Sequence, residues 1–78
     1  MAKIKVIGKL PFVKGIKEAT NTGLIEAKDI ADEIIPSVLE NNIATFDPKK
    51  FGWNEQTLKE IVSIANMHGN NVIILSYE

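Results

Sequence analysis

The chain opens on an alternation in which Lys3 and Lys5 interleave with Ile4 and Val6, and Ile7 follows. A two-residue period predicts a short strand over Lys3 to Gly8, with one face on a core, one in water, and lysines that discourage edge pairing with another molecule. The period then changes. Pro11, with its fixed φ and missing N–H, suits the first turn of a helix. Phe12, Val13, Ile16, Ala19 and Thr20 recur at intervals of three and four, which predicts a helix over 11–20 with Lys14 and Lys17 on a shared face. Asn21-Thr22-Gly23 supplies a residue tolerant of the left-handed region, an N-cap and a glycine, and so predicts a tight turn between helices.

A second helix is predicted from Leu24, with Glu26 in its first turn complementing the helix dipole. Its buried stripe is Ala27, Ile30, Ala31, Ile34, Ile35, Val38 and Leu39. Pro36 interrupts this stripe. Because Val38 and Leu39 keep the helical spacing, the expectation is a helix kinked at Pro36 and continuing to about Glu40. Ile43 to Phe46 reads as a strand and Asp47-Pro48-Lys49-Lys50 as a polar loop, with Phe51 and Trp53 folding back onto the core. Asn54 caps a third helix whose inner stripe is Leu58, Ile61, Val62 and Ala65, and Gly69 terminates it. Val72 to Leu75 is an uninterrupted apolar run, expected for a strand central in its sheet. The order β-α-α-β-α-β predicts one α+β domain over residues 1–78: a mainly antiparallel three-stranded sheet with three helices on one face.

Composition supports a folded domain, with 45% hydrophobic and 24% charged residues. The absence of cysteine removes disulfides and thiolate chemistry and suits a reducing compartment. No apolar run is long enough to span a bilayer and no secretory block opens the chain, so the expected location is cytoplasmic and no membrane partner is expected. Charge is unevenly placed. Lys3, Lys5, Lys9, Lys14 and Lys17 fall in the first 17 residues without an acid, leaving four lysines against ten acids in the rest. Such a segment suits either a solvated face or a surface for an acidic partner.

Candidate catalytic chemistry is sparse. His68, the one histidine, lies near the end of the third helix, where it favours the helix C-terminus rather than a metal. Asp29, Asp32 and Glu33 have spacings that can hold a divalent ion, yet they read better as a solvated face, with Lys28 placed to pair with Asp32 four residues on. Gly8, Gly15 and Gly23 are too scattered for a phosphate-binding loop. Trp53 and Tyr77 lack the aromatic-basic alternation of a nucleic-acid platform, and the chain has no arginine to read guanine, so nucleic-acid binding would rest on the early lysines alone. The expectation is a non-enzyme without metal or cofactor.

One segment carries a family resemblance. Lys14-Gly15-Ile16-Lys17-Glu18-Ala19-Thr20, the turn, and Gly23-Leu24-Ile25-Glu26-Ala27-Lys28-Asp29 resemble the core motif of the C-terminal domain of the bacterial ribosomal stalk protein. In that family a lysine-bearing helix ends in Ala-Thr or Ile-Thr, a glycine-containing turn follows, and Gly-Leu-x-Glu-Ala-Lys-Asp opens the next helix. The resemblance implies a protein-binding function: the first two helices catch translational GTPases, notably elongation factors Tu and G, by presenting lysines to an acidic helix. By position it implies contact roles for Lys9, Val13, Lys14, Lys17, Gly23, Leu24, Glu26, Ala27 and Lys28. An acidic amphipathic helix would approach closely at Gly23 and Ala27, meet the ammonium groups of Lys14, Lys17 and Lys28, and take Leu24 as apolar anchor.

The chain also departs from the family. Lysine stands at position 17 where arginine is usual, Ile25 replaces a basic residue, and the turn has one glycine rather than two. The family's N-terminal dimerisation domain and hinge are not in the 78 residues, so the expectation is a free-standing copy that recruits, mimics or competes with a host stalk, as would suit a phage or mobile element. An adaptor of the Clp protease, which shares this architecture and presents peptides, is the alternative. Its acidic amine-binding pocket has no counterpart in Lys9-Leu10-Pro11.

Overall fold

A computed structural model of the chain describes residues 1–35, 42–67 and 69–78. The elements run β1 (Ala2–Val6), α1 (Lys9–Thr20), α2 (Leu24–Ile34), β2 (Ile43–Phe46), a 3-10 turn (Pro48–Phe51), α3 (Glu55–Ala65) and β3 (Val72–Tyr77). The order is the β-α-α-β-α-β predicted, and the fold is α+β with a three-stranded antiparallel sheet.

Sheet order is β2-β1-β3, which reverses one expectation: β1 is the central strand and the apolar β3 lies at an edge. Ala2, Ile4 and Val6 of β1 turn inward and are buried, while Lys3 and Lys5 turn outward. A strand alternates when one of its faces is covered, whatever its place in the sheet. The continuous run in β3 has the same explanation from the other side. Val72 is buried on the helix face, whereas Ile73, the partner of outward-facing Lys5, is 43% exposed on the helix-free face and Leu75 is 46% exposed. Register shifts between Lys3 and Ile4, where Ser76 and Ile74 are their partners, so Leu75 is the extra residue of a bulge that interrupts this edge.

The helices lie on the inner face, with α1 in contact with both α2 and α3. Phe12, Ile16, Leu58 and Ile61 are fully buried, together with Ile4 and Val72 of the sheet. Small residues set how closely the layer packs: Ala27 and Ala31 are the fully buried face of α2, and Gly15 is buried where α1 crosses α3. Trp53 and Phe46 are buried and meet edge to face at 6.1 Å, and Phe51 stacks at 5.1 Å from Trp53. The expected folding back of these aromatics is what the structure shows.

Local chemistry accounts for the boundaries. Asn21 closes α1 in the left-handed region at φ 55°, with its N–H donating to the Lys17 carbonyl. The cap of α2 is Gly23 rather than Thr22, whose hydroxyl instead meets that of Thr20 at 3.2 Å. Helix α2 stops at Ile34, and Ile35 is extended, as expected of a residue preceding proline. The predicted continuation over 36–40, with Val38 and Leu39 in its stripe, lies outside the described residues. Asn54 caps α3 by accepting from the Thr57 N–H at 2.8 Å.

Helix α3 ends at Ala65, earlier than Gly69, because Asn66 turns its side chain to the sheet. Its Oδ1 accepts from the N–H groups of Asn71 and Val72, and its Nδ2 donates to the Val72 carbonyl. Asn66 thereby serves the first residue of β3 as a neighbouring strand would. The Asn71 carbonyl accepts from Ile7 and Gly8, which ties this turn to the end of β1. His68 lies outside the described residues.

Candidate functional site

Four of the nine predicted contact residues gather where α1 meets α2. Lys9 and Leu10 form the first turn of α1, Val13 follows one turn later, and Leu24 and Lys28 stand one turn apart on α2. These five line an apolar groove of about 320 Å³. Val13 is nearly buried at its base, while Leu10 and Leu24 are 83% and 61% exposed. Lys9 and Lys28 add aliphatic stems to the lining. Ile25, beside Leu24 in sequence, is 79% exposed. Large apolar side chains so exposed are not explained by the fold, since none contributes to the core.

An ion pair bridges the two helices. The Lys9 ammonium bonds the Asp32 carboxylate, with both side chains nearly half exposed. That bond, aided by the charges of Lys9 and Lys28, outweighs the opposing effect of desolvation and holds the Asp32 carboxyl below its ordinary value of 3.8. The spacing of four predicts a pair between Asp32 and Lys28 on the same helix. Asp32 reaches instead to α1, because Leu24, Lys28 and Asp32 form the α2 ridge nearest the first turn of α1. Lys28 makes no ion pair among the described residues, and neither do Lys14 and Lys17, which are exposed on α1.

The structure thus gathers Lys9, Val13, Leu24 and Lys28 around one groove and places Lys14 and Lys17 outside it, on the solvent side of α1. Gly23 is exposed at the α2 cap, with open space where a side chain would stand. Ala27 is 0% exposed and packs in the core, so it offers a partner no surface. Glu26 lies on the other flank of α2, where it lines a second cavity with Phe51 and Trp53. Leu10 is the groove residue that sequence reasoning missed. Its spacing of three from Val13 is the signal for it, and α1 begins at Lys9 rather than at Pro11, which makes Leu10 helical.

The other candidate chemistries are dispersed. Glu33 bonds Lys50 and Asp32 bonds Lys9, so two of the three clustered acids of α2 are engaged by lysines. Among the described residues, no group of three or more acidic or histidine side chains is arranged to hold a metal ion. Lys3 and Lys5 stand on the helix-free side of the sheet, and Lys9, Lys14 and Lys17 on the helical layer, so the five early lysines do not form one basic patch. Trp53 is buried and offers no ring face for stacking. No helix of the described residues is long and apolar enough to cross a membrane. Comparison with protein-family models, with curated proteins and with solved structures finds no match to this chain.

Proposed function

We propose that this chain is a non-catalytic, cytoplasmic protein-binding module of the ribosomal-stalk kind, whose α1–α2 surface takes an acidic amphipathic helix of a translational GTPase, elongation factor Tu or G, and so mimics or competes with a host stalk. The observation that carries the reading is the groove: exposed Leu10 and Leu24 beside nearly buried Val13, with Lys28 unpaired among the described residues. Burying a leucine side chain from water contributes about 1.5–3 kcal/mol. Two such anchors, after the costs of association, support binding in a transient range. Lys14, Lys17 and Lys28 add steering and orientation more than net affinity, because their charges are solvated and screened by salt. Lys9 contributes less, since Asp32 already neutralises it.

Calorimetric titration of the chain with purified elongation factors Tu and G tests the reading. Binding to at least one factor is expected, weakened by added salt and by charge reversal at Lys14, Lys17 and Lys28 together. Equal, undetectable binding by the wild type and the variant removes these GTPases as partners.

A further inference from the structure

On the flank of α2 that faces away from the apolar groove, a second cavity of about 370 Å³ opens between the end of α1, the first turns of α2 and α3, and the aromatic segment after β2. Its lining differs in kind from the first. Glu26 supplies a carboxylate, Thr20, Thr22 and Thr57 supply hydroxyls, and the half-buried Phe51 supplies aromatic surface with the buried Trp53 beside it. The hydroxyls are already committed in part. Thr20 donates to the Ile16 carbonyl at 2.6 Å, Thr20 and Thr22 meet at 3.2 Å, and Thr57 donates to Asn54 Oδ1 at 3.0 Å. Each retains acceptor capacity. Glu26, by contrast, makes no hydrogen bond or ion pair from its side chain among the described residues, and it is exposed.

The same ridge of α2 shows what such an arrangement accepts. Glu26, Ile30 and Glu33 stand at intervals of four and three and therefore share a face. At the far end of the ridge Glu33 bonds the Lys50 ammonium, which also lies 6.0 Å from the centroid of the Phe51 ring. Carboxylate, lysine and aromatic ring thus form a complete set there. Two turns back, Glu26 provides a carboxylate with no cation on it among the described residues, and the same Phe51 ring, half-buried, lines its cavity. Glu26 is the one charged side chain among the described residues that line the cavity. The starts of α2 and α3 add partial positive charge and the end of α1 partial negative charge, and Glu26 in the first turn of α2 brings the full negative charge among them.

We infer that this cavity is a second binding site, taking the basic side chain, lysine or arginine, of a protein partner, with its cation on the Glu26 carboxylate and its aliphatic stem against the half-buried Phe51 ring. The volume suits one long side chain, not a folded element. The site is independent of the α1–α2 groove, which it neither overlaps nor shares charge with. One partner carrying an acidic apolar helix and an adjacent basic residue would straddle α2 and engage both.

The test is amide and indole NMR of ¹⁵N-labelled chain titrated at low salt with three blocked peptides: acetyl-Gly-Arg-Gly-amide, acetyl-Gly-Lys-Gly-amide and acetyl-Gly-Gln-Gly-amide. The arginine and lysine peptides are expected to shift Thr22, Glu26, Gly52 and the Trp53 indole N–H, leaving Leu10 and Lys28 unmoved, whereas the glutamine peptide leaves all of them unmoved. Glu26→Gln, at an exposed position that the fold does not depend on, is expected to weaken the arginine peptide about tenfold, the scale of one charge-assisted bond. Equal shifts with the glutamine peptide, or undiminished affinity in Glu26→Gln, would overturn the assignment. Loss of peptide binding with the elongation factors still bound would sink this site and leave the groove standing.

Discussion

A side-chain carbon placed on Gly15 would lie 2.4 Å from the carbonyl oxygen of Ile61. Helix α1 therefore crosses α3 at backbone contact, at the centre of the helical layer, and the glycine is required by space rather than by its φ. The close crossing holds α1 down on the core. The groove residues Lys9, Leu10 and Val13 ride on that helix.

Gly15→Ala sets two effects against each other. Alanine gains about 1 kcal/mol from helix propensity. The clash costs about 3 kcal/mol, at the upper end for overpacking, because the atom struck is backbone and has no rotamer in which to retreat. Net destabilisation of about 2 kcal/mol is expected by urea denaturation. A variant as stable as the wild type, or more so, would show that the two helices are not so closely packed.

Asn66 joins α3 to β3 through three hydrogen bonds from one amide. Asn66→Ala leaves the part-buried N–H groups of Asn71 and Val72 without an acceptor, at a cost of about 2–3 kcal/mol. Asn66→Asp keeps both acceptor bonds and loses only the donation to the Val72 carbonyl, so it is expected to fall between alanine and wild type. Hydrogen exchange at Val72 reads the same contact: its protection drops in Asn66→Ala while that of Ile4, in the central strand, follows the global stability.

The Lys9–Asp32 pair predicts a specific acid response. The folded-state carboxyl lies below its ordinary value of 3.8, so the pair's stabilisation is present above that value and is lost as the pH falls through the lower, folded one. Lys9→Met removes the largest cause. NMR titration of the Asp32 carboxyl carbon should then give a midpoint moved up towards 3.8. An unmoved midpoint would mean that the two side chains do not meet in solution.

Much of the fold was legible because single residues carry it. Alternation in β1, the Asn54 cap, the left-handed Asn21 and the spacing of Leu58, Ile61 and Ala65 each have one local cause that survives folding. The position of β3 was not legible. Its apolar run is the product of a buried face and a partly exposed one, and neither reports which strands lie beside it. The groove was half visible. Leu24 and Lys28 stand in the motif, but Pro11 sits third in α1 rather than first, which hid Leu10. The sides of α2 were harder still, since Ala27 and Glu26 are neighbours of Leu24 and Lys28 in sequence yet face the core and the opposite flank.

Methyl-resolved NMR of the chain with and without elongation factor G, and separately factor Tu, reads the binding surface residue by residue. The methyl groups of Leu10, Val13 and Leu24 should shift or broaden with at least one factor, while those of Ile43, Ile73 and Leu75 on the sheet stay in place. Perturbation confined to the sheet methyls, or none with either factor, would contradict a docking surface between α1 and α2.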